Sequence, residues 1–271
     1  MRTVSLQDAD NVRIDGELWV DANAANAAPV TNEHMHGVFL FNTTNSVIAA
    51  IRSDNARGDN VMIGGDNNSA GSHDVSIGSI RATTAGRKNL VLHSVRNLRI
   101  GSAMLDNRAG GARLFGGKPN GTDGHSLDVE PDKFTGAVAN DATIGSVETY
   151  GSGNDFTAGT SPRQADAYRV KIGSFRSAIT PRPGVSAWGQ YAVTLTIGDL
   201  AITGIGGDTP SEIRYAARLN VDRLTMSGAI PGKPLLWIAP ARGETPIATL
   251  GAEIVRNTAG EGIRRGGPAP R

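Results

Sequence analysis

A short pattern recurs along this chain: an apolar residue, any residue, Ile, Gly, and then Ser or Asp. This repeat constrains the fold more than any other feature of the sequence. Its isoleucines are Ile77, Ile100, Ile144, Ile172 and Ile197, and a degenerate copy places Val221 at the same position. Successive copies are 23, 44, 28, 25 and 24 residues apart, and 44 is close to two turns of 22. A period in the low to middle twenties predicts a solenoid, in which each repeat packs against its neighbours.

The residues within each repeat select the kind of solenoid. A leucine-rich repeat would need a Leu/Asn framework, and a helical repeat would need apolar residues at a period of 3.6; the chain has neither. Short Ile/Val strands predict an all-β fold, a right-handed parallel β-helix with coils of about 22–28 residues. The Gly after each Ile permits a bend, and the next Ser or Asp can bond to turn backbone. A β-sandwich of similar length would not explain why the same tripeptide returns in phase.

The extent of the repeat also divides the chain. Residues 1–226 are assigned to the β-helix, beginning with an early coil at 11–20. Prolines interrupt the pattern after residue 230, so residues 227–260 are predicted to form a C-terminal cap or interface segment. The last stretch, residues 261–271, is rich in Gly, Pro and Arg and is predicted to be a disordered tail.

A second family of short strands lies between the repeats. Its members are the ranges 37–42, 60–64, 89–94, 126–131 and 155–160. Aligning their apolar residues places Leu127 in register with Leu90 and Phe156. Val129 then falls in register with Leu92 and Ala158. This alignment requires the strand at 89–94, and not the segment at 112–116, to be the direct neighbour of the strand at 126–131.

The same alignment predicts the outer face of these strands. Asp128 would stack on Val91, and Glu130 would stack on His93, with neighbouring strands about 4.8 Å apart. The positions on either side of His93 and Glu130 are the small residues Gly64 and Gly159. We therefore expect room for a ligand beside these side chains.

The most chemically suggestive stretch is the acidic segment at 123–132, Asp-Gly-His-Ser-Leu-Asp-Val-Glu-Pro-Asp. Residues two apart on a strand share a face, so Asp128 and Glu130 are predicted to point outward together. Exposed, paired carboxylates on a rigid strand suit acid/base or nucleophilic chemistry on a polymer, with Asp132 assisting. His93 and His125 would orient sugars or tune the carboxylates. The plainer interpretation is a polar strand end that runs into a Pro-Asp turn.

Other polar residues are predicted to line the same groove. Arg57 and Asp59 lie in a turn, and Arg108 and Arg113 lie in a Gly- and Arg-rich stretch, 105–124, where one coil is longer. Two histidines at 34 and 36 follow Glu33, but no third strong ligand is nearby, so no metal site is predicted. We expect His36 either to enter a strand or to reach the outer groove.

Composition excludes several classes of function. The formal net charge is +1, so no global field favours nucleic acid or an acidic membrane. The chain has no cysteine, which excludes disulfides, thiolate metal sites and cysteine nucleophiles. No apolar run approaches the length of a membrane span, and residues 1–6 contain no signal-peptide apolar region. We expect neither a nucleic-acid nor a membrane partner.

The coil repeat, together with Gly-X-X-Leu-Asp-Val-Glu-Pro at 124–131, resembles the pectate-lyase-like right-handed β-helix superfamily. The resemblance covers about residues 11–226. That superfamily includes polysaccharide lyases, glycoside hydrolases, epimerases and phage tailspike depolymerases. It implies a polysaccharide partner, an extracellular or virion-associated location and, as in tailspikes, a homotrimer. The calcium-plus-Arg motif of pectate lyases is not evident, so no cofactor is predicted and Ca²⁺ is retained only as an alternative ligand of Asp128 and Glu130.

Three functions follow from this resemblance and the acidic segment. The leading one is glycoside hydrolysis, with retention if the two carboxyl groups are about 5–5.5 Å apart and inversion at about 6.5–9.5 Å. The second is a lyase or epimerase acting on uronic acids, with Arg108, Arg113 or Lys133 supplying positive charge. The third is a non-catalytic β-helix that binds glycans or builds a phage tail or adhesin.

Overall fold

The computed structural model describes residues 3–23, 35–65, 71–109, 125–129, 141–151, 154–160, 168–178, 185–189, 193–206, 210–213, 218–239 and 247–267. Throughout these ranges the chain is all-β, with strands and turns and no helix. The described ranges accordingly contain no helix long and apolar enough to cross a membrane. The prediction of an all-β fold is confirmed.

The strands form two parallel sheets, and the chain passes back and forth between them. The first sheet contains β1 (Val4–Gln7), β3 (Val38–Phe41), β5 (Val61–Gly64), β7 (Lys88–His93), β10 (His125–Val129), β12 (Asn154–Thr160), β14 (Val185–Gly189), β16 (Ser211–Ile213), β18 (Leu236–Ile238) and β20 (Ile263–Arg265). The second contains β2 (Arg13–Asp21), β4 (Thr44–Asp54), β6 (Ser72–Thr83), β9 (Leu98–Asp106), β11 (Asp141–Tyr150), β13 (Tyr168–Ala178), β15 (Val193–Ile205), β17 (Arg218–Gly228) and β19 (Ile247–Asn257). A two-residue strand, β8 (Val95–Arg96), also pairs with β6.

The isoleucines of the repeat stack directly on one another in the second sheet. Ile77, Ile100, Ile144, Ile172 and Ile197 are successive Cα partners. The column extends to Ile14 and Ile48 at one end and to Val221 and Leu250 at the other. One continuous core cluster runs between the two sheets and includes this column. The period read from the sequence therefore corresponds to one strand of the second sheet per repeat.

The interpretation of the 44 residues from Ile100 to Ile144 as two turns of 22 residues is wrong. The strands that carry these residues, β9 and β11, are direct neighbours. The 44 residues therefore cover one step of the second sheet, and β10 of the first sheet lies within that step. The parallel pairing of β9 with β11 leaves no place for a second strand of this sheet between them.

The glycines of the repeat form a column of their own on the outer surface of the second sheet. A Cβ added at Gly101 would lie 2.4 Å from the carbonyl oxygen of Gly78, and one added at Gly145 would lie 2.4 Å from that of Gly101. The same contact recurs at Gly173 and Gly198 at 2.5 and 2.4 Å. None of these glycines has a positive φ. Glycine is needed here because adjacent strands approach closely, and not for the conformational freedom at a bend that the sequence suggested.

The second predicted strand family forms the first sheet, and its register is confirmed. Leu127 is the Cα partner of Leu90 and of Phe156, and Val129 is the partner of Leu92 and Ala158. The strand at 89–94 is thus the direct neighbour of β10, as the alignment required. Leu90, Leu92, Leu127 and Val129 are all completely buried in the core.

The C-terminal region continues both sheets. Within the predicted cap, residues 227–260, β18 and β19 extend the first and second sheets. Ile263–Arg265, expected to belong to a disordered tail, form β20 and pair with β18, because Ile263 packs against the edge of the core.

Charged residues replace apolar ones at the C-terminal end of the stack. Glu253 follows Leu224 in its column, and Arg265 follows Ile238. Arg265 Nη2 lies 3.2 Å from Glu253 Oε1, and both side chains remain partly exposed. The apolar columns that contain Leu224 and Ile238 therefore end in an ion pair.

Candidate functional site

The predicted catalytic residue Asp128 lies in β10, with Val91 and Thr157 as its Cα partners, as the alignment indicated. Its predicted exposure is wrong, because only 5% of its side chain is accessible to solvent. The carboxylate instead forms a close ion pair with the ammonium group of Lys88, of which 4% is accessible. A buried carboxylate requires such a partner, since an isolated buried charge is strongly disfavoured.

Lys88 is a site residue that the sequence interpretation missed. It begins β7, and its Cα partner in β10 is His125. The signal was present in the register: extending the Leu90–Leu127 alignment two residues backward brings Lys88 to the edge of β10. Register alone does not show this contact, because the Lys88 side chain reaches diagonally, from the start of one strand to the middle of the next.

Asp59 is the second buried carboxylate of this region. It precedes β5 and was predicted to line an exposed groove, but 2% of its side chain is accessible. Its Oδ2 lies 3.2 Å from His36 Nδ1, and its Oδ1 lies 3.7 Å from Arg87 Nε. Burial raises the pKa of Asp59, but His36, Arg87 and Lys88 together outweigh it, so that the pKa lies below its ordinary value. Asp59 is therefore held as a buried carboxylate by surrounding cationic and hydrogen-bonding groups.

His36 joins this carboxylate to an aromatic stack. Its ring lies parallel to that of Phe39, with centroids 5.2 Å apart, and Phe39 in turn stacks on Phe41 at 5.1 Å. Only 3% of the His36 side chain is accessible. His36 lies in the loop that enters β3, as one of the two expectations stated, but it is not an exposed groove residue, because its ring is enclosed between Asp59 and an aromatic face.

Buried amides fix the backbone beside these ion pairs. Asn60 donates from Nδ2 to Oδ1 of Asn89 at 2.8 Å, and its own Oδ1 accepts the backbone N–H of Ala56 at 3.1 Å. Asn60 follows Asp59 and Asn89 follows Lys88, so the amides lie one residue beyond the charges in the sequence. The hydrogen bonds position Asp59 and Lys88 by holding the turn and the strands that carry them.

The space predicted beside His93 is closed on the side of Gly64. His93 ends β7, is partly buried, and has Gly64 as its Cα partner. A Cβ added at Gly64 would lie 2.3 Å from the carbonyl oxygen of His93. Gly64 thus allows two strands to approach closely, and the expectation that it leaves room for a ligand is wrong.

The remaining predicted site residues are distributed as follows. Arg57 lies half-buried in the turn between β4 and β5. His125 begins β10, where its backbone pairs with Lys88 and Asn154. Glu130, Asp132 and Arg113 fall outside the described residues.

Arg108 belongs to a different surface. It follows β9 of the second sheet, is exposed, and donates from Nε and Nη2 to the carboxylate of Asp106 at 3.1 and 2.6 Å. Its guanidinium carbon lies 4.9 Å from the centre of the Tyr150 ring. The contacts of Arg108 are therefore with its own turn and β11, and they do not place it with Lys88 and Asp128.

The buried ion pairs bring together His36, Asp59, Lys88 and Asp128, which lie at or within four neighbouring strands, β3, β5, β7 and β10. Within the ranges that the structure describes, no three His, Asp or Glu side chains are grouped so as to hold a metal ion. Comparisons with protein-family models, curated proteins and solved structures found no match to this chain.

Proposed function

We propose that this chain is a right-handed parallel β-helix that hydrolyses a polysaccharide. Two observations support the architecture: the chain alternates between two parallel sheets, and each sheet pairs strands from successive repeats. Closed coils of about 22–28 residues would produce this pattern. The proposed reaction is assigned to Asp128, in β10 of the first sheet.

The observation that carries the catalytic proposal is the cluster of four buried ionisable side chains. Burying charge is costly, and clusters of titratable groups with perturbed pKa values occur preferentially at functional sites. Here the pKa of Asp59 is lowered, and Lys88 pairs with Asp128 of the neighbouring strand. Such an arrangement holds carboxylates and cations at fixed positions, which hydrolysis of a glycosidic bond requires.

In the proposed reaction Asp128 is the carboxylate that acts on the sugar, as nucleophile or as base for a water molecule. Lys88 positions it through their ion pair. The proton donor to the leaving oxygen is Glu130, two residues further along the chain, with Asp132 assisting. His36 and Asp59, 3.2 Å apart, form a second acid/base pair beside β3 and β5.

A second candidate function is a non-catalytic β-helix that binds glycans or serves as a structural element. The observation that favours it is the burial of Asp128 and Lys88, because an enclosed ion pair is also a way to fix the register of neighbouring strands. In this alternative the charges serve folding specificity alone, and any glycan would bind elsewhere on the surface.

A turnover assay on matched variants separates these functions. The full chain would be incubated with neutral and uronate-containing polysaccharides, and reducing ends would be measured together with product mass. We expect the wild type to release oligosaccharides and Asp128→Asn to lower the rate by about 10²-fold or more. The control is Asp106→Asn, which removes a carboxylate paired with Arg108 on the second sheet and should leave turnover unchanged.

Each result tests one part of the proposal. Absence of turnover on the whole panel contradicts the enzymatic proposal and leaves the non-catalytic one. Turnover that survives in Asp128→Asn, with thermal unfolding showing a folded variant, removes Asp128 from the mechanism. An absorbance rise from unsaturated uronate products identifies a lyase in place of a hydrolase.

A further inference from the structure

A second feature with ligand-binding chemistry lies on the outer surface of the second sheet, across β13, β15 and β17. An open depression of about 280 Å³ is present there. Its lining consists of Arg176, Asp199, Leu200, Ala201, Arg223 and Thr225. These residues are separate from the buried cluster around Asp128, which belongs to the first sheet.

The register of the strands explains the shape of the depression. Ala201 is the Cα partner of Arg176 on one side and of Thr225 on the other. A methyl group therefore lies between a long side chain and a medium one, with neighbouring strands about 4.8 Å apart. The short side chain of Ala201 leaves a hollow that Arg176 borders.

Arg223 borders the other side and is held in place. It is the Cα partner of Asp199 and forms two parallel hydrogen bonds to that carboxylate, from Nε at 2.7 Å and from Nη2 at 2.6 Å. This bidentate geometry fixes the plane of the guanidinium group while 64% of the Arg223 side chain remains accessible. The Arg223 side chain has therefore already lost conformational entropy before any ligand binds, which lowers the entropic cost of binding.

Arg176, unlike Arg223, is not held by a carboxylate. It is exposed, and among the described side chains it has no ion pair within 4.0 Å. Its positive charge reaches Asp199, whose pKa is lowered chiefly by the Arg223 hydrogen bonds and, to a smaller degree, by the charges of Arg223 and Arg176. Among the residues that line the hollow, two guanidinium groups accompany one carboxylate, so the lining carries a net positive charge. One further carboxylate, Glu148, is the Cα partner of Arg176 in β11, on the side of β13 away from Ala201.

We infer that this depression binds an anionic group, a carboxylate or a sulfate, of a polysaccharide. Arg176 donates hydrogen bonds to the anion, Arg223 contributes its remaining N–H groups, and Thr225 and Asp199 can bond to neighbouring hydroxyls. The choice of a polysaccharide as carrier rests on the proposed function, whereas the anion site itself does not. The inference defines a binding surface for an acidic glycan on the sheet opposite the proposed reaction.

The test uses three probes and three variants of the full chain. Affinity electrophoresis would compare polygalacturonate, which carries carboxylates, dextran sulfate, which carries sulfates, and neutral dextran. Arg176→Ala removes the cation, and Ala201→Trp fills the hollow without changing charge. Arg169→Ala is the matched control, because Arg169 is an exposed cation on the same strand and lies 3.9 Å from Asp141.

We expect at least one anionic polymer to retard the wild type, with no retardation by dextran. Arg176→Ala should raise the dissociation constant about five- to tenfold, within the range for net loss of one hydrogen bond at an accessible site. Ala201→Trp should raise it by at least as much, because the indole occupies the hollow. Arg169→Ala should change it less than twofold. The polymer that responds to Arg176→Ala identifies the anion as carboxylate or sulfate.

Three results would overturn the inference. They are equal weakening by Arg169→Ala and Arg176→Ala, which indicates general charge attraction; unchanged binding by Ala201→Trp; and no retardation by either anionic polymer. Thermal unfolding would verify that each variant is folded. Because binding is measured without turnover, a missing hydrolase activity and a missing anion site are separate outcomes.

Discussion

Lys88 and Asp128 face each other from neighbouring strands of the first sheet, and their ion pair is almost completely enclosed. Removing one partner leaves an uncompensated buried charge, whereas replacing both removes the need for a partner. We expect Lys88→Met to lower the free energy of unfolding by about 3–5 kcal/mol. The double variant Lys88→Met with Asp128→Leu should recover most of that loss.

Urea unfolding of the two single variants and the double variant forms a double-mutant cycle that measures this coupling. The control is the exposed pair of Arg13 and Asp15, 2.8 Å apart, whose coupling should be about 0–1 kcal/mol. A coupling energy between Lys88 and Asp128 no larger than that of the control pair would contradict the prediction, because it would show that burial does not strengthen this ion pair.

Asp59 predicts a specific dependence of stability on pH. Its pKa is lower in the folded protein than the ordinary value of 3.8, so the unfolded chain binds the proton more tightly. The contribution of Asp59 is therefore fully present above about pH 4 and is lost as the pH falls below 3.8, through the lowered folded pKa. Asp59→Asn should be less stable near neutral pH and should show a shallower loss on acidification.

Unfolding midpoints recorded from about pH 6 to pH 2.5 would measure this difference in slope. Asp15→Asn, at an exposed position, serves as the reference variant. Parallel curves for the wild type and Asp59→Asn would contradict the assignment of Asp59 as a carboxylate stabilised by its neighbours.

The glycine column predicts where a single methyl group is costly. Gly145→Ala would place a Cβ 2.4 Å from the carbonyl oxygen of Gly101, so two strands must move apart. We expect a loss of about 1–3 kcal/mol in the free energy of unfolding, as for other overpacked sites. Gly206→Ala is the matched control, since no atom lies within 4 Å of its added Cβ. Denaturant unfolding should leave the control near the wild type, and similar losses in both variants would refute the close-approach explanation.

The charged pair at the end of the core predicts a change in assembly. Glu253 and Arg265 occupy positions that Leu224 and Ile238 occupy one strand earlier, so they discourage another apolar layer from packing there. Replacing both by Leu should increase self-association, detectable by light scattering coupled to size-exclusion chromatography. The exposed pair Arg223→Leu with Asp199→Leu provides a control of equal charge change on the sheet surface. Unchanged mass for the Glu253/Arg265 variant, or equal association of both, would contradict this role.

The sequence was most informative where stacking repeats one residue type on itself. Ile77 and Ile100 could be aligned because the same position returns in each repeat, and Leu90 and Leu127 could be aligned because apolar residues alternate. The burial of Asp128 could not be predicted this way, because its partner Lys88 lies 40 residues earlier and reaches it diagonally. Alternation indicates which face a side chain occupies, but not what covers that face.

The role of glycine shows a different limit. Gly101 and Gly145 were recognised as recurrent, yet recurrence alone does not distinguish a positive φ from a close approach of two backbones. That distinction depends on the distance between strands, which is a property of the assembled sheet. Similarly, Gly64 was interpreted as open space, although the carbonyl group of His93 fills it.

The glycine column also determines how such a chain can change in length. Successive glycines are separated by unequal stretches, and the stretch from Gly101 to Gly145 is the longest, yet the strands on both sides keep the same partners. Residues inserted between strands lengthen only the connecting segment and leave the pairing of the strands unchanged. One residue inserted within a strand would instead turn every following side chain to the opposite face. The stack therefore tolerates changes in the number of residues between strands, and the longest of these intervals, from Gly101 to Gly145, contains β10, the strand that carries Asp128.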